Sequence, residues 1–294
     1  MSKKPKWFGY ILYFLIITAG FLYLRFPSDV ISDYLRNAVN KPNIPIVLSI
    51  DQITPWPTLG LKVDGAEISL KDASAPNLFE AESIIVRPEI WAFVKGSGRY
   101  CFQCQAYGGD IKGCVQFRQR AVTPPFYAEM ELKDVQIGGN KYLEELAGRR
   151  IQGNLTGTLY YSGQANNPIS GDGGANLRLL DGAIELLLPL LGLDSISFNE
   201  IVIDVVLKKR MIHIARCDLS GDQLKGKVSG DISLRKQIER SSLNLRGELE
   251  PFAAFFTSAE GDSSTMNILK KRLKRGALSF VIRGTLREPK VRFT

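Results

Sequence analysis

The chain has 294 residues, enough for one large domain or two of ordinary size, and 45% of them are apolar against 23% charged. These values are typical of globular proteins and exclude wholesale disorder, collagen-like repetition and a small disulfide-dense scaffold. The net charge is +8, but four cations lie in the first 26 residues and the others are scattered along the chain. The sequence therefore predicts neither the concentrated basic face of a DNA-binding domain nor a nucleic-acid partner.

Residues 7–24 (WFGYILYFLIITAGFLYL) form an uncharged stretch preceded by Lys3, Lys4 and Lys6. Its length and its aromatic ends predict a single transmembrane helix over 7–26, and the lysines place residues 1–6 in the cytoplasm. A cleaved signal peptide is the alternative, but no small-x-small site follows the stretch. Residues 27–294 are then expected to form a body outside the cytoplasm, with a possible sub-lobe boundary near 166–174 (NNPISGDGG).

Residues 28–40 have helical apolar spacing, but beyond Pro45 the dominant period is two. Residues 127–134, for example, alternate apolar and charged side chains as a half-buried antiparallel strand does. Turn signals occur at Asp64-Gly65, Gly108-Gly109 and Asp181-Gly182. Helices are expected only at 141–149, 184–193, 250–259 and 264–275. The predicted fold class is mainly β: a transmembrane helix followed by a curved, predominantly antiparallel β-sheet body with a few short helices.

Three cysteines, Cys101, Cys104 and Cys114, lie within one predicted hairpin, and Cys217 lies far from them. A zinc site would need a second pair of ligands, which the chain lacks. If the hairpin turn centres on Gly109, Cys104 lies opposite Cys114, within reach of a disulfide. A Cys104–Cys114 disulfide is therefore one prediction for these residues, and free buried thiols are the alternative.

Four later strand patterns, 151–159, 224–234, 243–249 and 278–286, place glycines on the apolar face only. These candidate positions are Gly153, Gly157, Gly226, Gly230, Gly247 and Gly284. One interpretation is that they let a long sheet twist or make room for large neighbouring side chains. The other is that they hollow the face into an apolar groove for an acyl chain.

The chain carries one histidine, His213, on a predicted strand, where a hydrogen-bonded packing role is the usual one. There is no G-x-S-x-G, Walker A, G-x-G-x-x-G or H-E-x-x-H motif. We therefore expect no catalytic residues, no metal, no cofactor and no enzymatic activity. The basic segment 266–275 (MNILKKRLKR) is either a solvated helix face or a helix that lies on anionic headgroups.

Three segments resemble the protein N family of the bacterial type II secretion system, in the longer form related to AsmA-like proteins. They are 187–207, 217–234 and 280–293. The last contains a G-[ST]-L-x-x-P-x-[VL] pattern formed by Gly284, Thr285, Leu286, Pro289 and Val291.

The resemblance implies an inner-membrane protein with its bulk in the periplasm, serving as a non-enzymatic accessory component of secretion through contacts with other secretion proteins. It also implies kinship with AsmA-like proteins, whose long sheets present an apolar groove to phospholipid. A lipid-binding or lipid-transfer protein is the alternative function. Neither family supplies catalytic residues for this chain.

Overall fold

One antiparallel sheet of fourteen strands dominates the computed structural model. The structure describes residues 4–40, 46–57, 59–71, 77–94, 98–117, 125–164, 167–190, 193–252 and 277–293. Within these residues the predicted mainly antiparallel β fold, with few helices, is confirmed.

The described helices and strands have the following bounds. The helices are α1 Lys4–Leu24, α2 Ser28–Val39, α3 Ile90–Val94 and α4 Lys141–Ala147. The strands are β1 Ile46–Trp56, β2 Gly60–Leu70, β3 Phe79–Pro88, β4 Gly98–Ala106, β5 Gly109–Phe117, β6 Pro125–Gln136, β7 Ile151–Gln164, β8 Asp172–Leu190, β9 Leu193–Lys208, β10 Met211–Ser220, β11 Leu224–Ser233, β12 Ser242–Pro251, β13 Leu278–Thr285 and β14 Pro289–Phe293.

The order of the strands in the sheet is their order in the chain. Each strand pairs with the one before it and the one after it, so β1 and β14 are the two edges. Strand β8 begins at Asp172 and pairs with β7 through Ser162, so the sheet continues across the 166–174 region.

The N-terminal stretch requires a correction. Helix α1 covers Lys4–Leu24, yet no described helix combines the length and the apolar character needed to cross a bilayer, so the transmembrane helix predicted over 7–26 is wrong. The lack of charge correctly indicated a helix. Glycine, threonine and tyrosine residues, however, interrupt its aliphatic side chains, and two lysines lie in its first turn.

Helix α2 begins at Ser28, as its spacing predicts, and lies against the first strands. Its side chains Ile31 and Leu35 pack on the core. The side chain of Arg36 donates to the carbonyl of Ile50, and the amide of Leu48 donates to Asn40 Oδ1 at 2.8 Å. Apolar packing and these hydrogen bonds together hold α2 on the sheet.

The core lies on one face of the sheet, hereafter the inner face. Strands β1 to β6 contribute buried side chains such as Ile53, Cys104 and Leu132 to a first cluster. Leu179, Phe198 and Ile201 of β8 and β9 form a second cluster. The inner face therefore continues as an apolar surface from the first strands into the second half of the sheet.

One of the predicted helices and two of the predicted turns are strands instead. The described residues of the helix predicted at 184–193 belong to β8 and β9. The helix predicted at 250–259 lies outside the described residues from 253 onward, and its first two residues are the end of β12. The turn signals Asp64-Gly65 and Asp181-Gly182 lie within β2 and β8. Gly65 (φ 61°) and Asp181 (φ 48°) supply a local left-handed residue inside a strand rather than a chain reversal.

Candidate functional site

An apolar cavity of about 460 Å³ lies on the inner face, beneath α4; we call it the α4 cavity. One wall is the paired residues Ile151 and Ile184 of β7 and β8. Strands β11, β12 and β13 form the opposite wall. The side chains that these strands contribute to the wall are Ile232, Leu243, Leu245 and Ile282.

Register explains why these later strands contribute side chains to the same wall. Ile232 is the direct partner of Leu243, and Leu245 is the direct partner of Ile282. Because alternate residues of a strand point to opposite faces, all four share the inner face. The alternating pattern of the sequence therefore determines this wall.

Helix α4 covers the cavity with Leu143, which is 43% exposed. The helix forms where predicted because Asn140 accepts a hydrogen bond from the amide of Leu143 at 2.9 Å and Gly148 ends it with a left-handed residue (φ 64°). The partial exposure of Leu143 shows that the cavity is open to solvent at this side.

Two charged residues, Glu144 and Arg149, line the cavity next to its apolar walls. Burial lowers the pKa of the Arg149 guanidinium, because removal from water disfavours the charged form. A partly desolvated guanidinium gains more from an anionic group than one in free water does. The cavity thus combines apolar walls with one cation and one carboxylate.

The six candidate glycines lie on the inner face, but none of them is among the residues that line the α4 cavity. Gly284 is the direct partner of Leu243, and Gly230 is the direct partner of Leu245, so two of them adjoin the cavity wall. The alternation in the sequence thus predicts the strand faces but not the residues that line the cavity.

Protein atoms occupy the space in front of several of these glycines. Phe280 of β13 is the direct partner of Gly247, and its ring lies over that glycine. A Cβ at Gly226 would lie 3.0 Å from Leu249 Cδ2, and a Cβ at Gly153 would lie 3.0 Å from Leu179 Cδ1. This arrangement favours the interpretation in which glycine makes room for large neighbours.

Backbone conformation accounts for two further glycines. Gly157 (φ 153°) and Gly230 (φ 136°) each adopt a conformation that other residues rarely take, with the carbonyl of the neighbouring strand close by. A side chain at either position would meet the Asn176 or Asn244 carbonyl oxygen. These two residues permit close backbone approach.

The disulfide pairs different cysteines from those predicted. Cys101 is bonded to Cys114, while Cys104 is free and buried, so the predicted Cys104–Cys114 pairing is wrong. The reason is the turn, which is formed by Tyr107 (φ 52°) and Gly108 (φ 69°) instead of centring on Gly109. That shift places Cys101 directly opposite Cys114 on the outer face, the face opposite the core.

A second concavity, of about 600 Å³, surrounds this disulfide on the outer face. Its charged lining contains both signs: Lys112 lies directly opposite Glu131, and Glu129 accepts a hydrogen bond from Arg99 at 2.7 Å. Because these charges can neutralise one another, the concavity has no clear preference for an anion or a cation.

His213 lies on the outer face, with Nδ1 2.9 Å from Asp231 Oδ1, and its side chain is 60% exposed. No group of three or more potential metal ligands occurs among the described residues. The expected absence of enzymatic activity stays a prediction. The basic segment 266–275 lies outside the described residues.

The sequence pattern does not single out the residues that close the cavity, namely Ile137, Leu143 and Arg149. The helix predicted over 141–149, with an apolar side chain at Leu143, is the signal that points toward them. No protein-family model matches the chain, and neither the curated proteins nor the solved structures compared with it include a match.

Proposed function

We propose that the chain binds a lipid, whose acyl chain enters the α4 cavity. The observation that carries this proposal is the apolar cavity itself, about 460 Å³ in volume and open beside Leu143. Its volume is within the range of about 300 to 1,000 Å³ that small-molecule sites occupy. Removing apolar surface of an acyl chain from water supplies the affinity, at roughly 25 cal/mol per Å².

Arg149 supports an anionic headgroup for this lipid. Its guanidinium lies at the margin of the cavity, where burial already lowers its pKa. A phosphate or carboxylate of the ligand placed there would form a charge-assisted hydrogen bond with the guanidinium. A phospholipid or a fatty acid meets this description. Lipid binding is also the function that the resemblance to AsmA-like proteins implies.

The test uses the full chain purified in mild detergent. Native mass spectrometry should detect co-purified lipid, and a fluorescent fatty acid should bind with saturation. Leu143→Asp places a charge at the cavity mouth and should weaken probe binding about tenfold or more, because the carboxylate must be desolvated beside the acyl chain.

Ile90→Asp is the matched control, since Ile90 is also a half-exposed helical residue (53%) but does not line the cavity. It should leave probe binding unchanged. Absence of co-purified lipid, together with equal probe affinity in the two variants, would overturn the proposal. A Gly230→Leu variant would not serve to fill the cavity, because the backbone conformation at Gly230 does not tolerate a side chain.

A second proposed function is that of a non-enzymatic accessory component of type II secretion, acting through contacts with other secretion proteins. It is supported by the resemblance of segments 187–207, 217–234 and 280–293. These segments belong to β8 to β11 and to β13 and β14, within one continuous half of the sheet.

Deletion of the gene in its native host tests this second function. Release of secreted enzymes should fall, and the wild-type gene should restore it. Complementation with the Leu143→Asp variant then separates the two functions: restored secretion would mean that secretion does not need the cavity. Undiminished secretion after deletion would contradict the secretion role.

A periplasmic location is part of the same proposal. The Cys101–Cys114 disulfide supports it, because disulfides persist in oxidising compartments and are rare in the cytosol. Fractionation of the native host, with non-reducing peptide mapping of the recovered protein, tests it. A reduced chain recovered with the cytosol would contradict it.

A further inference from the structure

Nine lysine and arginine side chains lie at one end of the sheet, in three separate segments of the chain. The segments are 208–210, 234–241 and 283–290, which together contain only two acidic residues, Glu239 and Glu288. The cations are Lys208, Lys209, Arg210, Arg235, Lys236, Arg240, Arg283, Arg287 and Lys290. We call this group the basic end.

Register brings the three segments together. Lys208 pairs with Met211, Met211 with Ser233, Ser233 with Ser242, and Ser242 with Thr285, so the connections that follow β9, β11 and β13 lie at the same end of the sheet. With neighbouring strands about 4.8 Å apart, the basic end extends for about 24 Å from β9 to β14. The sequence pattern does not indicate this surface, because the cations that form it are widely separated along the chain.

All nine cations are exposed. Within the described residues only one of them has a carboxylate within 4.0 Å: Arg287, which lies 3.7 Å from Glu239. Arg283 and Lys290 are direct partners in β13 and β14, an arrangement that like charges make unfavourable. Self-repulsion of this kind is relieved when an anionic surface approaches.

Three exposed apolar side chains lie close to these cations in the chain. Met211 follows Arg210 and is 46% exposed, Ile238 lies between Lys236 and Arg240 and is 45% exposed, and Val291 follows Lys290 and is 51% exposed. Cations beside exposed apolar side chains are typical of protein surfaces that lie in the headgroup region of a bilayer. An acidic protein or a nucleic acid would match the charges but would leave these apolar groups without a favourable environment.

We propose that the basic end docks on a membrane surface that contains anionic phospholipid, with the cations at the headgroups and Met211, Ile238 and Val291 inserted among them. This docking does not depend on the α4 cavity and goes beyond the binding of a single lipid. The two sites are nevertheless close, because Leu286 and Pro289, which line the cavity, lie one and two residues from Arg287 in the chain.

The test is co-sedimentation of the full chain with vesicles of phosphatidylcholine alone and with vesicles that also contain 30% phosphatidylglycerol. Neutral vesicles give the baseline, including any contact through the exposed apolar side chains of α1. The anionic vesicles should bind the chain more strongly, and the difference should shrink when the salt concentration rises from 0.1 M to 0.5 M.

A variant with Lys208→Gln, Lys236→Gln and Lys290→Gln removes one charge from each segment. Each cation near an anionic surface contributes about fivefold to binding, so the triple variant should lose about 100-fold in affinity for anionic vesicles. The matched control is Arg87→Gln, Lys112→Gln and Lys133→Gln, which removes three exposed cations from β3, β5 and β6. The control should bind as the wild-type chain does.

A third variant, Met211→Ser with Ile238→Ser, removes two apolar groups without changing the charge and should also weaken binding to anionic vesicles. Circular dichroism checks that each variant is folded. Equal binding of the wild-type chain to both vesicle types would overturn the proposal, as would equal losses in the basic-end variant and its control. Leu143→Asp should bind vesicles normally, so failure of the cavity proposal can be told apart from failure of this one.

Discussion

Cys104 and Cys101 lie three residues apart on β4 but on opposite faces of the sheet. Cys104 is 2% exposed among the core side chains, and burial raises the pKa of its thiol from 9.0 to about 11. Cys101 lies on the outer face and is bonded to Cys114. The two-residue side-chain period of the strand thus decides which cysteine is oxidised and which is buried.

We expect Cys104 to resist alkylation in the folded protein. A pKa near 11 reduces the thiolate population at pH 8 by about 100-fold relative to an ordinary thiol, and burial reduces access further. Iodoacetamide labelling followed by non-reducing peptide mapping should find Cys101 linked to Cys114 and Cys104 labelled only after denaturation. A linked Cys104 would contradict the observed register.

The same thiol predicts a dependence of stability on pH. Between about pH 9 and 11 the unfolded thiol releases its proton while the folded one keeps it, so the free energy of unfolding should fall as pH rises through this window. Cys104→Ala lacks this contribution and should show a shallower fall. Urea denaturation at pH 8, 9 and 10 measures the difference, and parallel curves would contradict it.

Asn140 connects α4 to two distant parts of the chain. Its side chain accepts from Leu143, and its Nδ2 donates to the Leu78 carbonyl at 3.2 Å and to the Tyr107 hydroxyl at 3.1 Å. Asn140→Ala removes a helix cap and several buried hydrogen bonds, so it should destabilise the protein by about 2 kcal/mol. Because α4 covers the cavity, binding of the fatty-acid probe should weaken as well.

Chemical denaturation measures this loss, with Asn199→Ala as the control. Asn199 is exposed and bonds only Asp222 among the described contacts, at 2.8 Å, so its loss should cost less than about 0.5 kcal/mol. Equal stabilities for the two variants would show that the Asn140 hydrogen bonds contribute little.

The β4–β5 connection shows how one turn sets the pairing of a whole hairpin. Tyr107 and Gly108 both have positive φ, as the tight two-residue turns of hairpins require. Gly108→Ala should therefore destabilise the protein by about 1 kcal/mol. Gly98→Ala is the control, because Gly98 has no positive φ and its Cβ would make only an ordinary contact with Tyr100 at 3.6 Å. Thermal unfolding that shifts equally in both variants would contradict this expectation.

Element types were predictable wherever a pattern was long and regular. The alternation at 151–159 and 224–234 predicts β7 and β11, and residues 141–149 predict α4. The apolar run at 184–193 was misassigned because periodicity cannot distinguish a buried strand from a helix in so short a run. The hairpin cysteines were mispaired because Gly-Gly at 108–109 offered two turn positions, and only one of them aligns Cys101 with Cys114.

The site was less predictable than the fold. Apolar strand faces can be read from alternation, but which side chains meet across the α4 cavity depends on how one part of the inner face lies relative to another. The basic end likewise depends on the registers of five successive strand pairs, from β9 to β14, which together bring residues 208–290 to one end of the sheet. Neither relation leaves a local pattern in the sequence.

At the scale of the whole molecule, stability should vary along the sheet. The central strands β8 and β9 have nineteen and sixteen residues and partners on both sides, whereas the edge strand β14 has five residues and one partner. Hydrogen exchange should therefore be slowest in β7 to β10 and fastest in β14. Uniform protection across all strands would mean that the sheet opens only as one cooperative unit.

The identity between chain order and sheet order also bears on biosynthesis. A strand that leaves the ribosome finds its only earlier partner already in place, so no segment has to wait for a distant one before it can pair. Growth of the sheet can thus proceed one hairpin at a time, from the N-terminal edge onward, with each new strand covering the edge that its predecessor exposed.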